Sequence, residues 1–114
     1  MPSTILIIDD EAAIRSSLAG ILEDEGFLPL AAASAEEGLH MLDERDVSLV
    51  LLDIWMPGMD GLEALRQIKS RFDLPIIMIS GHGSIETAIE ATKNGAYDFI
   101  EKPLSYDKVV LNLV

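Results

Sequence analysis

Carboxylates, a hydroxyl and an ammonium end the apolar runs of this chain in a pattern that could do phosphoryl chemistry. Asp9 and Asp10 follow Ile5-Leu6-Ile7-Ile8, and Asp53 follows Leu49-Val50-Leu51-Leu52. Ser80 follows Ile76-Ile77-Met78-Ile79, and Lys102 follows Tyr97-Asp98-Phe99-Ile100-Glu101. If the runs are parallel strands, their C-terminal ends share the sheet edge where open α/β folds bind ligands. Three carboxylates converging there raise one another's pKa unless a cation sits among them, and all-oxygen ligation favours Mg²⁺. Asp53 is the candidate nucleophile, because it ends the most apolar strand and opens onto a loop. A carboxylate attacking phosphorus yields an acyl phosphate. Lys102 and the metal would neutralise charge, with the Ser80 hydroxyl and nearby backbone amides as donors. The plainer alternatives are that Asp9-Asp10-Glu11 only caps a helix and that Lys102 is an ordinary surface lysine.

The elements that must position these groups are legible as repeated βα units. After the first strand, Ile14, Leu18, Ile21 and Leu22 share a helical face, and Gly26 supplies a left-handed stop. A second strand, 27–33, contains Pro29, which suits a sheet edge. Ser34-Ala35-Glu36-Glu37 reads as a capping box before a helix with Leu39 and Leu42 inward. The third strand, 48–53, is apolar without alternation, as in a strand covered on both faces. A loop over 54–61 precedes a helix marked by Leu62, Leu65, Ile68 and Phe72. The fourth strand follows Pro75. Ser84 is the expected cap of a helix carrying Ile85, Ala88 and Ile89 and ending at Gly95. The fifth strand is 97–101, and Ser105 can cap a last helix cut short at Val114. With the second strand at an edge, the expected fold is α/β and flavodoxin-like: a five-stranded parallel sheet in order 2-1-3-4-5 with helices on both faces.

One domain is all that 114 residues allow, and 49% hydrophobic content is enough for a core. No apolar run reaches the length of roughly 20 residues that a spanning helix needs, and Met1-Pro2-Ser3-Thr4 lacks the basic start of a secretory signal. A soluble, cytoplasmic protein is expected, with no membrane partner. The absence of cysteine removes disulfides and thiolate metal sites. A formal charge of -12 argues against direct contact with nucleic acid.

Taken together, Asp9-Asp10, Asp53, Ser80 and Lys102-Pro103 resemble the receiver domain of two-component response regulators, over essentially the whole chain. The segments 53–61, 80–83 and 97–103 look most like receivers of nitrogen-regulation regulators of the NtrC/NtrX type. The resemblance implies a signalling switch that catalyses its own phosphoryl transfer and autodephosphorylation rather than a turnover enzyme. Asp53 would accept phosphate from a sensor histidine kinase. Asp10, Asp53 and the backbone carbonyl of Trp55 would hold Mg²⁺, with Asp9 acting directly or through water. Lys102 would pair with the acidic pocket and then the phosphoryl group, held by a cis bond to Pro103. Ser80 would move toward the phosphoryl oxygens and Phe99 would turn inward behind it. The change would reach the face made by the fourth helix, fifth strand and fifth helix, which would serve a phosphorylation-modulated homodimer.

Many receivers carry Tyr where Phe99 stands, so a hydroxyl-dependent switching step is absent. Residues 1–114 are expected to be the receiver of a longer transcriptional regulator, with output domains beyond. Trp55 and His82 flank the pocket and could tune phosphoryl lifetime, or be plain loop residues; Met56, Met59 and Met78 read as packing. Three rivals keep similar architecture. A flavin carrier would need Ser, Thr and Gly where Asp9-Asp10-Glu11 stand. A haloacid-dehalogenase-like phosphatase would need an Asp where Trp55 stands. A degenerate receiver would not need the intact acid set.

Overall fold

The computed structural model describes residues 3–81, 85–102, 105, 107 and 109. Among these residues five strands, β1 (Thr4–Ile8), β2 (Leu28–Ala32), β3 (Leu49–Asp53), β4 (Ile76–Ser80) and β5 (Asp98–Glu101), alternate with four helices. These are α1 (Ala12–Asp24), α2 (Ala35–Glu44), α3 (Gly61–Arg71) and α4 (Ile85–Lys93). The strands form one parallel sheet in the order β2-β1-β3-β4-β5, as the sequence predicts. Pro29 lies in β2, at the edge, where its missing N–H costs no ladder bond that a central strand would need.

Alternation along the strands builds two cores. Leu6, Ile8, Val50, Leu52, Ile76 and Met78 face one side, where they meet Leu42 of α2, Leu65 and Ile68 of α3, and Ala91 of α4. Ile5, Ile7, Leu51, Ile77, Ile79 and Ile100 face the other, against Leu18 and Leu22 of α1 and Val109. Helices therefore cover both faces, and β1, β3 and β4 are apolar between their ends, over 5–8, 49–52 and 76–79, because neither face sees water there. Met56 and Met78 are buried and Met59 packs against the first core, so the packing role expected for these methionines is what they have. Among the described residues no helix is long and apolar enough to cross a membrane.

Local chemistry sets the element ends. Gly26 and Gly95 close α1 and α4 with φ of 85° and 99°. Ser34 caps α2 by accepting from Glu37 N–H, while Glu37 Oε2 accepts from Ala33 N–H, one residue earlier than in a standard capping box. Asp60 caps α3 by accepting from Glu63 N, so that helix begins at Gly61, slightly earlier than the apolar pattern places it. At Gly61 the backbone packs directly on the end of β3. A Cβ there would sit 2.5 Å from Ile54 Cα and closer still to the Asp53 carbonyl oxygen. Val109 N–H donates to Ser105 O, one helical turn of the segment expected to form the last helix. The rest of that expectation, together with Ser84, His82 and Pro103, lies outside the described residues.

Candidate functional site

The strand order puts the ends of β1 and β3 side by side, with β4 and β5 following. Asp9 and Asp53 are buried there, as is Ser80, while Asp10 is exposed at the rim. One carboxylate oxygen from each of Asp9, Asp10 and Asp53 lies within 4.8 Å of the others. Lys102 reaches back over this cluster from the end of β5. Its Nζ is 3.2 Å from Asp9 Oδ2, 3.2 Å from Glu11 Oε1 and 3.6 Å from Asp53 Oδ1. A pocket of about 250 Å³ opens above, lined by Asp10, Glu11, Asp53, Trp55, Gly81 and Lys102.

The β1–α1 connection is held tightly. Asp9 Oδ1 accepts the Glu11 N–H at 2.9 Å, and Arg15 Nη1 donates to the Asp9 carbonyl oxygen at 2.9 Å. Arg15 thus brings a positive charge under the acidic loop. The backbone of Lys102 is anchored too, its N–H donating to Ser80 O at 2.7 Å. That bond couples the switch-candidate hydroxyl residue to the lysine. Phe99, from β5, is half-buried and packs against the first core. Trp55 is 52% exposed, so its indole stands at the mouth of the pocket rather than in the core.

Electrostatics at the floor of the pocket favour a cation. Burial pushes the Asp53 carboxyl up from 3.8 to about 6, the Asp9 and Asp10 charges push the same way, and Lys102 and a hydrogen bond from the Trp55 backbone only partly offset them. Lys102 is pulled down by burial, but Asp53 and Asp9 outweigh this and hold its ammonium above the usual value. Even so, the carboxylates outnumber the ammonium. Asp9 Oδ2 is buried, and the Lys102 ammonium it faces at 3.2 Å is shared with Glu11 and Asp53. Three carboxylate oxygens within 4.8 Å of one another, with one ammonium to share, fit a hard divalent cation ligated by oxygen.

The residues singled out in the sequence therefore converge: Asp9, Asp10, Asp53, Ser80, Lys102 and Trp55 meet at one edge, with Phe99 behind. Capping is not what the first acids do, since Glu11 occupies the N-cap of α1 without a side-chain cap bond. Two residues escaped the sequence reading. Arg15 could have been suspected from its place one turn into the helix after the acids, but nothing local links Glu11 to Lys102, 91 residues away.

Residues 5–113 match the response regulator receiver domain family. The nitrogen assimilation regulatory protein NtrX of Azorhizobium caulinodans is 50% identical over 114 residues, which cover 97% of this chain and 25% of that protein. The receiver domain of NtrX from Brucella abortus is 49% identical with a TM-score of 0.91, covering 96% of this chain and 93% of that one. The beryllofluoride-activated NtrC4 receiver domain, solved in solution as a dimer, is 41% identical with a TM-score of 0.91, covering 96% and 92%. The chain spans about a quarter of the length of the curated relatives it matches. With fold, acidic pocket and family in agreement, this chain belongs to the response regulator receiver domains, signalling modules rather than turnover enzymes, and is similar to those of NtrX-type regulators.

Proposed function

We propose that the chain is a phosphorylation-dependent switch whose phosphoacceptor is Asp53. A sensor histidine kinase would present its phosphohistidine at the pocket. An Asp53 carboxylate oxygen attacks phosphorus, the P–N bond breaks, and the imidazole leaves with the electron pair and takes a proton. The observation that carries this reading is Asp53 itself, buried below Lys102 with its carboxyl pushed up to about 6. A carboxylate with raised proton affinity is the better nucleophile, yet near pH 7 it remains mostly ionised.

Asp9, Asp10, Asp53 and the Trp55 backbone carbonyl would hold Mg²⁺, which when bound neutralises the carboxylates and the incoming phosphoryl oxygens. Lys102 then binds a phosphoryl oxygen, and the Ser80 hydroxyl donates to another. Ser80 moving toward the phosphoryl group leaves room for Phe99 to turn inward. Autodephosphorylation returns the switch: water attacks phosphorus, and inorganic phosphate leaves Asp53 ionised. Trp55, at the mouth, and His82 would govern how water reaches phosphorus.

Output would pass through α4, β5 and the segment after Lys102. Ile89 and Tyr97, both large and exposed, support a phosphorylation-modulated homodimer on that face, in line with the dimer of the NtrC4 receiver domain. Residues 1–114 would act as the receiver unit of a cytoplasmic transcriptional regulator, in nitrogen-related control. Its DNA contacts would come from elsewhere, as the charge of -12 requires.

Acetyl phosphate with Mg²⁺ should add the mass of one phosphoryl group, read by intact-mass spectrometry, and Asp53→Asn should add none. No gain in the wild type, or an equal gain in the variant, would rule out Asp53.

A further inference from the structure

Glu11 departs from the local rule that the starts of α2 and α3 follow. N-caps favour short oxygen-bearing side chains, and Ser34 and Asp60 obey by accepting backbone N–H groups of α2 and α3. Glu11 sits at the N-cap of α1 and makes no such bond. Its carboxylate instead accepts a hydrogen bond from Lys102 Nζ at 3.2 Å. A local rule broken at a pocket marks a residue serving something other than its own element.

We propose that Glu11 is a brake on this site: it holds Lys102 back from the phosphoacceptor and repels incoming phosphoryl anions. The inference rests on reading Asp53 as the phosphoacceptor. β1 and β5 are not neighbours, so the Glu11–Lys102 pair bridges the pocket over the ends of β3 and β4, above Asp53. The ammonium sits nearer Glu11 and Asp9 than Asp53, at 3.2, 3.2 and 3.6 Å. Of the three carboxylates around Nζ, Asp9 and Asp53 are buried and fixed, whereas the Glu11 side chain is 61% exposed and can swing away with no movement of the sheet. A phosphoryl group arriving on Asp53 competes with Glu11 for Lys102. Until then the Glu11 charge at the mouth opposes any anionic donor. Glu11 is a positioning residue, acting through Lys102.

The test compares wild type, Glu11→Gln and Glu11→Ala as full chains at saturating Mg²⁺, following phosphoryl gain from acetyl phosphate by intact mass. Both variants should react about two- to five-fold faster at low ionic strength, the size of an exposed ion pair. The advantage should shrink as salt rises, because screening removes the Glu11 field from the wild type as well. A merely structural role would not produce that salt dependence. Rates equal to or below wild type, or an advantage independent of salt, would overturn the brake and leave Asp53 as phosphoacceptor. If the wild type gains no phosphoryl group at all, it is the phosphoacceptor reading that falls.

Discussion

The neighbouring inner strands β1 and β3 each lead into a buried aspartate, Asp9 after β1 and Asp53 at the end of β3, and hand over to a helix, but the two handovers are built differently. After β1 the turn is short, and everything in it is tied: Asp9 Oδ1 to Glu11 N, and the Asp9 carbonyl oxygen to Arg15. After β3 a seven-residue connection, 54–60, carries Trp55 to the surface and returns at Asp60, which caps α3. In the first, one carboxylate serves as scaffold while Glu11 neglects its helix for Lys102. In the second, the helix start is fully cared for, and the strand's own aspartate is left with a raised pKa and an open pocket above it. Rigidity around a reactive group comes from its neighbours, so that the group need not be held by its own reactive oxygens.

The largest break in this contrast should come from Gly61→Ala. Its Cβ would enter the backbone of Asp53 and Ile54, and Gly61 N–H donates to Ile54 O at 2.7 Å, so α3 cannot retreat without losing that bond. Chemical denaturation should show a loss of about 3 kcal/mol, within the range of strongly strained sites. An unchanged midpoint would mean that the β3–α3 junction is soft. Next is Asp53→Asn in metal-free protein. The native carboxyl titrates at about 6 against 3.8 for an ordinary aspartate, so the folded state holds a proton that the unfolded chain has released. Wild-type stability therefore falls as pH rises from about 4 through 6, and the variant escapes this fall. Its advantage should be near zero at pH 4 and about 2–3 kcal/mol at pH 7. A gap constant with pH would contradict the buried charge.

The smallest effects test the two N-caps directly. Asp60→Ala should cost about 1 kcal/mol through its lost bond to Glu63 N. Glu11→Ala should cost less than about 0.5 kcal/mol, because it removes only a partly exposed ion pair. Equal losses in thermal or urea unfolding would mean that Glu11 supports its helix after all.

Much of this architecture was legible in the residues. Unbroken apolar runs marked the covered strands, Pro29 marked the edge, and Gly26 and Gly95 marked helix ends, because each of these signals is local. The convergence of Asp9, Asp10, Asp53, Ser80 and Lys102 followed once strand order was fixed. Asp60 as a cap was readable too, from the acid three residues before Glu63, but the apolar pattern starting at Leu62 hid it. The approach of Gly61 to β3 and the reach of Glu11 to Lys102 were not readable. Both depend on how distant segments are set against each other, and neither leaves a periodic trace.

The site draws on residues spread from Asp9 to Lys102, on four strands whose order along the sheet differs from their order along the chain. No fragment short of β5 can assemble it. A chain still emerging or clipped before its fifth strand lacks Lys102, and a partly unfolded one does not hold it over Asp53. With Asp53 as the proposed phosphoacceptor, competence to be modified would be a certificate of completed folding.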